Sequence, residues 1–167
     1  RHAEAVQLQR SAVELQKARE GESSAATAVA LRELAIAEEV QGSDPEPRYR
    51  AALAMAETVG QAREIPLRGW QVPLAAFLVG ANRCREAVPL LRSALAGMDA
   101  AANTADPIAT PQMLLLLDAC SVQASQSASG MSRVDACAAL RELPGAGVDV
   151  YPVTRTLLTT RCGMRKG

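Results

Sequence analysis

Aromatic and histidine side chains are scarce in this sequence. Its 167 residues include one Trp, two Tyr, one Phe and a single His. Because His2 is the only histidine, the chain cannot by itself assemble a Ser-His-Asp or Cys-His catalytic constellation. A glycine-rich phosphate-binding loop ahead of a predicted helix is also missing. We therefore expect a chain that is not an enzyme, with no catalytic residue and no cofactor.

Metal-ligand and membrane patterns are missing too. The cysteines form no C-x-x-C pair, so the sequence predicts no zinc or other metal site. No apolar run reaches the length that crosses a bilayer, and no signal peptide is visible. The chain starts with Arg1 rather than Met, and we expect a fragment of a longer protein. Its expected location is the cytoplasm, or the periplasm if the parent protein has an upstream membrane segment.

Charge of neither sign is in excess. Lys+Arg and Asp+Glu each total 18, which gives a formal net charge of zero. The electrostatic footprint of a nucleic-acid-binding protein is therefore absent, and we expect no nucleic-acid partner. Two local clusters, the basic residues of 155–166 and the Glu38-Glu39 pair at a predicted helix end, are interpreted as solvated.

The cysteines are Cys84, Cys120, Cys137 and Cys162. The first interpretation is that they are free thiols packed as small apolar residues. The alternative is a disulfide between Cys120 and Cys137, and the sequence does not decide whether these two are bonded.

What the sequence does contain is mainly small and aliphatic. Hydrophobic residues make up 49% of the chain, although aromatics make up only 2%. Alanine and leucine suit closely approaching helices, whereas strands favour β-branched and aromatic residues. The composition therefore predicts an all-α protein.

The chain also repeats itself with a period of about 41 residues. Residues 3–15 resemble residues 85–97, and a third copy lies midway, at 48–60. A weaker fourth copy starts at Arg133. Apolar residues at helical spacing fill the segments between the copies, and the first two such segments end on Gly42 and Asn82, residue types that close helices in the left-handed conformation. The pattern predicts helices at 2–19, 25–41, 47–60, 67–81, 84–101, 109–124, 132–143 and from Pro152 to before Gly163.

This unit resembles the tetratricopeptide repeat, in the form of about 42 residues found in kinesin light chains and many bacterial proteins. The first unit matches the pattern of that family at Glu4, Ala5, Leu8, Ala12, Val13, Gly21, Leu31, Leu34, Ala35, Gln41 and Gly42. The resemblance implies an α-α superhelix of stacked hairpins with units at about 2–43, 44–83, 84–130 and a partial 131–143. A capping helix and basic tail would occupy 144–167.

The resemblance also assigns close helix contacts to small residues. They are Ala5, Ala12, Ala35, Ala52, Ala75, Ala87 and Ala94. Two prolines, Pro73 and Pro89, lie inside predicted helices. The family tolerates proline at the place of Pro89, although no capping argument explains it. We expect the helix around Pro73 to start late or to kink.

A concave groove for a partner is the third implication. The family often places two Asn on the first helix of each unit, and this chain has other residues there, so a groove of the carboxylate-clamp type is not expected. The groove candidates are Arg32, Glu33, Val72, Met113, Leu114 and Leu115. The alternative for the apolar members is that they only pack against a neighbouring hairpin.

The function implied is a non-catalytic scaffold that binds a protein or peptide. A second hypothesis is a sensory or docking region C-terminal to a bacterial Ser/Thr kinase or transcriptional regulator domain. A third is self-association into a homo-oligomer. Fold analogy alone goes no further than a binding module.

Overall fold

The computed structural model of the chain describes residues 2–63, 67–100, 109–120, 137–138 and 152–162. All regular structure in these residues is helical, which confirms the all-α prediction. The helices are α1 (His2–Glu20), α2 (Ala25–Gln41), α3 (Glu46–Arg63), α4 (Arg68–Gly80), α5 (Cys84–Ala100), α6 (Ala109–Ala119) and α7 (Pro152–Arg161).

The helix boundaries follow the predicted ones closely. The largest differences are that α3 continues to Arg63 and that α6 ends at Ala119. The predicted helix over 132–143 lies outside the described residues, except for 137–138, which are helical. The final helix starts at Pro152 as predicted, because proline at the first helical position loses no hydrogen bond.

Capping residues close both ends of α2 and the C-terminal end of α4. The Ser24 hydroxyl accepts the backbone N–H of Thr27 at 3.1 Å, which caps the start of α2. Gly42 ends the same helix with φ of 84°. Asn82 follows α4 with φ of 59°, and the next N–H, that of Arg83, reaches the carbonyl of Leu78 at 2.8 Å. Both left-handed helix stops are therefore confirmed, because glycine and asparagine tolerate this conformation best.

Contacts divide the chain into two compact units, Arg1–Leu74 and Ala75–Gly167, and the division falls within α4. In the first unit α2 is central, with α1 and α3 both packed against it. The buried apolar side chains of these three helices are Val6, Val13, Ala28, Ala30, Leu31, Leu34, Ala35, Tyr49, Ala52, Leu53 and Ala56.

In the second unit α6 is the central helix, with α5 and α7 packed against it. The interior includes Ala87, Leu91 and Ala94 of α5 and the continuous run from Met113 to Leu117 of α6. Five of the seven alanines predicted at close helix contacts are buried in the two units. They are Ala35, Ala52, Ala75, Ala87 and Ala94.

The first two predicted alanine contacts are wrong in this structure. Ala5 is exposed and Ala12 is only half-buried, because α1 packs on α2 through Val6 and Val13, on another side of the helix. These two alanines therefore lie outside the packed interior of the first unit.

All four cysteines are paired, which corrects both interpretations of them. Cys84 is bonded to Cys120, and Cys137 is bonded to Cys162. The Cα atoms of each pair are 5.5 Å apart. Cys84 starts α5 and Cys120 directly follows α6, so the packing of these two helices brings together cysteines that are 36 residues apart in sequence.

We predict that peptide mapping of the unreduced chain will recover 84–120 and 137–162 cross-linked fragments and no 120–137 fragment. In the chain-entropy description, loops of this length each contribute about 3–4 kcal/mol to the free energy of unfolding. Dithiothreitol should therefore lower the melting temperature measured by circular dichroism. An unchanged melting curve after full reduction, verified by thiol titration, would contradict the stabilising role.

The buried alanines of α5 provide a second prediction. Ala94→Leu should lower the free energy of unfolding by about 1–3 kcal/mol, because the added carbons overpack a closed contact. Ala96→Leu is the matched control, since Ala96 lies two residues further on the same helix and is exposed. Urea unfolding of both variants measures the difference, and equal midpoints would show that Ala94 is not a close contact.

Candidate interaction surface

The structure separates the predicted groove residues into two groups. Val72, Met113, Leu114 and Leu115 are buried, with at most 5% of their surface exposed. This burial favours the packing alternative for the four apolar residues, so we do not include them in a candidate surface. Arg32 and Glu33 lie at the surface of α2, with 25% and 40% of their side chains exposed.

One side of α2 is less covered than the sides that pack on α1 and α3. The strip carries five residues at helical spacing, which we call the α2 face: Val29, Arg32, Glu33, Ile36 and Val40. Val29 is 39% exposed and Val40 is 51% exposed. Apolar side chains that cluster on an otherwise packed helix indicate a contact surface more than scattered ones do.

Of this surface, only Arg32 and Glu33 are predicted from the sequence. The three apolar residues recur at intervals of seven and four, which is the spacing of one helix face. That spacing was visible in the sequence, but α2 has apolar residues on every side. Only the packing of α1 and α3 shows which of them stay open.

Arg32 connects α2 to the start of α4. Its Nε donates to Glu33 Oε1 at 3.0 Å, and its Nη1 donates to the carbonyl oxygen of Gly69 at 3.4 Å. The guanidinium also lies over the ring of Trp70, 5.9 Å from the centroid, within the range of a cation–π contact. Most of the hydrogen-bonding capacity of Arg32 is therefore used inside the chain.

Pro73 explains why the Gly69 carbonyl accepts a side chain. In a regular helix the N–H four residues later would bond this oxygen, but proline has no N–H. Helix α4 nevertheless runs unbroken from Arg68 through Pro73 to Gly80, so the expected late start is not seen. Arg32 supplies the donor that Pro73 lacks, and it therefore positions the first turn of α4.

A buried carboxylate holds the other end of α2. The Glu38 side chain is 5% exposed and accepts from Arg10 of α1 at 3.4 Å, with Arg48 of α3 at 3.8 Å. The expectation of a solvated Glu38-Glu39 pair is wrong, because both neighbouring helices pack over it. An ionised carboxylate tolerates such burial only when cations compensate it.

Glu39 is also tied to the packing. Tyr49, which is buried, donates its hydroxyl to Glu39 Oε2 at 2.8 Å. Burial raises the pKa of the Glu39 carboxyl above its ordinary value, and the hydrogen bond from Tyr49 lowers it in part. Glu38 and Glu39 therefore both link α2 to neighbouring helices.

Across 2–63, 67–100 and the shorter described segments, no three His, Cys, Asp or Glu residues are grouped as a metal site would require. None of the described helices is both long and apolar enough to span a bilayer.

Comparison with known proteins returns no relative. No model of a protein family matches the chain, and no curated protein or solved structure is significantly similar to it. Arguments about function therefore depend on the residues themselves.

The raised pKa of Glu39 predicts a specific pH dependence. The folded chain holds this proton more tightly than the unfolded chain, so the stability that Glu39 contributes is present at low pH and is lost as the pH rises above the carboxyl's ordinary value, through its raised pKa. Glu39→Gln stays neutral at every pH. The melting temperature of Glu39→Gln should therefore increase relative to that of the wild type as the pH rises above the ordinary carboxyl pKa.

Tyr49→Phe is the matched control for that measurement. It removes the hydrogen bond that lowers the pKa of Glu39, so the pH at which stability is lost should move higher. If the melting temperatures of wild type and Glu39→Gln differ by the same amount at every pH, the pKa of Glu39 is the same in the folded and the unfolded chain.

Proposed function

We propose that this chain is a non-catalytic binding module that engages a protein or peptide through the α2 face. The observation that carries the proposal is that a central, packed helix leaves Val29 and Val40 exposed, and Ile36 half-buried, around the Arg32–Glu33 ion pair. Val29 and Val40 are eleven residues apart, which is about 16 Å along a helix. An elongated segment with apolar side chains at both ends fits this strip.

The polar centre of the face selects among such segments. Glu33 is the more exposed member of the ion pair, and its carboxylate is shared with Arg32. Since Arg32 is also tied to Gly69, the face presents an acceptor more readily than a free cation. We infer a partner that places apolar residues near both valines and a donor between them.

We also propose that the helices form tetratricopeptide-like hairpins stacked as a superhelix. Two features support this arrangement. The unit of helix, left-handed stop and helix occurs twice, around Gly42 and around Asn82, at a spacing of 40 residues. The alanines in matching positions of α3 and α5, Ala52 and Ala94, are both buried. A docking arm of a larger signalling protein would use the same surface.

The disulfides support a proposal about location. Two structural disulfides in one short chain are typical of proteins that fold outside the reducing cytosol. We therefore propose an oxidising compartment, such as the periplasm, in place of the cytoplasmic default.

Peptide display against the immobilised, oxidised chain tests the binding proposal. Peptides selected on the wild type should bind Val29→Glu/Val40→Glu at least about tenfold more weakly, a loss of about 1.4 kcal/mol. Ala51→Glu is the control, since Ala51 is an exposed residue of α3 outside the α2 face. Circular dichroism verifies that each variant is folded.

Two outcomes would contradict the proposal. One is that no selected peptide binds the wild type in titration calorimetry. The other is that the selected peptides bind the valine variant and the Ala51 variant with equal affinity, which would place the binding surface elsewhere.

A further inference from the structure

The two disulfides of the second unit differ in their exposure to solvent. Cys84 and Cys120 are both half-buried, whereas Cys137 is 6% exposed and Cys162 is 4% exposed. Thiol–disulfide exchange requires a thiolate to reach one of the two bonded sulfurs, so its rate depends on access to the bond. The Cys84–Cys120 bond is therefore the more open of the two to a thiol in solution.

The two sulfurs of this bond have different surroundings, because one lies at a helix start and the other at a helix end. Cys84 is the first residue of α5, where backbone N–H groups and the positive end of the helix dipole stabilise negative charge. Cys120 directly follows α6, and its own N–H is bonded to the carbonyl of Leu117 at 3.1 Å. The negative end of that dipole disfavours negative charge at Cys120.

Charged side chains near the bond have the same asymmetry. Arg83 and Arg85 flank Cys84, and Arg83 Nε donates to Glu86 Oε1 at 2.8 Å, so the charge of that arginine is largely compensated. Arg85 adds a positive charge on the Cys84 side. Asp118 places a carboxylate two residues before Cys120. A thiolate is favoured beside cations and disfavoured beside carboxylates.

This asymmetry decides which sulfur is attacked. In exchange, the attacking thiolate bonds one sulfur and the other sulfur leaves with the negative charge. The sulfur that holds negative charge better is the better leaving group. Cys84 is that sulfur, so the attack falls on Cys120.

We propose that the Cys84–Cys120 bond is a redox-exchange site, at which a dithiol reductant opens the α5–α6 pair while Cys137–Cys162 stays bonded. A reductant thiolate bonds Cys120 Sγ as the disulfide breaks, and the electron pair leaves on Cys84 Sγ. The second thiol of the reductant then attacks the reductant sulfur of this mixed disulfide. The reductant leaves as an internal disulfide, and Cys120 leaves as a thiolate that takes a proton from water.

Reduction at this site changes one end of the helix pair. The bond joins the start of α5 to the end of α6, and the two helices also contact each other directly. Ala87 and Leu91 of α5 and Leu115 of α6 are buried, and these apolar contacts do not depend on the bond. The helices therefore persist after reduction, and only the covalent link at this end is released. The proposal is independent of the α2 face, which lies in the first unit.

Limited reduction of the oxidised chain tests the site. Samples taken during treatment with dithiothreitol in native buffer are quenched with iodoacetamide, digested and analysed by mass spectrometry. Alkylated Cys84 and Cys120 should appear at least about tenfold faster than alkylated Cys137 and Cys162. The second disulfide is the matched control, because it meets the same reagent in the same molecule. Circular dichroism of the partly reduced chain should retain the helical signal.

Glutathione tests the direction of attack, because a thiol with a single sulfur leaves its mark on the sulfur that it attacks. The oxidised chain is treated briefly with reduced glutathione and quenched with excess N-ethylmaleimide. Glutathione should be found on Cys120 and N-ethylmaleimide on Cys84.

Three results would overturn the proposal. Equal rates for the two disulfides, or faster reduction of Cys137–Cys162, would show that Cys84–Cys120 is not a preferred exchange site. Loss of the helical signal when only Cys84–Cys120 is reduced would show a purely structural bond. Glutathione found mainly on Cys84 would overturn the direction of attack.

Discussion

The carboxylate of Glu38 is the constraint on which the first unit depends. It is almost fully buried near the end of α2, between Arg10 on α1 and Arg48 on α3. A charge in such a position is costly unless both cations stay close. The ion pairs of Glu38 therefore link both α1 and α3 to the same end of α2, in addition to the apolar contacts.

The α2 face combines charged and apolar side chains on one helix. The Arg32–Glu33 ion pair lies among two exposed valines, Val29 and Val40, and the half-buried Ile36. This mixture is the reason that we propose a partner with both apolar and polar groups.

The sequence alone predicts the helices and the left-handed stops well, because both depend on local properties such as apolar spacing and the tolerance of Gly42 and Asn82 for positive φ. It does not predict the disulfide pairing, because Cys84 meets Cys120 only once α5 has packed on α6. The burial of Glu38 and of Leu114 follows in the same way from neighbours distant in sequence. Val29, Ile36 and Val40 were missed because a central helix is apolar on several sides and packing alone selects the open one.

The hydrogen bond from Arg32 to the Gly69 carbonyl makes the contacts of residue 32 depend on the residue at position 73, which is 41 residues away. Because residue 73 is proline, the Gly69 carbonyl has no donor within its own helix and accepts a hydrogen bond from the Arg32 side chain instead. With another residue at position 73, the helix would bond its own carbonyl, and the guanidinium would keep its contacts with Glu33 and Trp70. One missing backbone N–H on α4 thus accounts for a hydrogen bond between two helices that are distant in sequence.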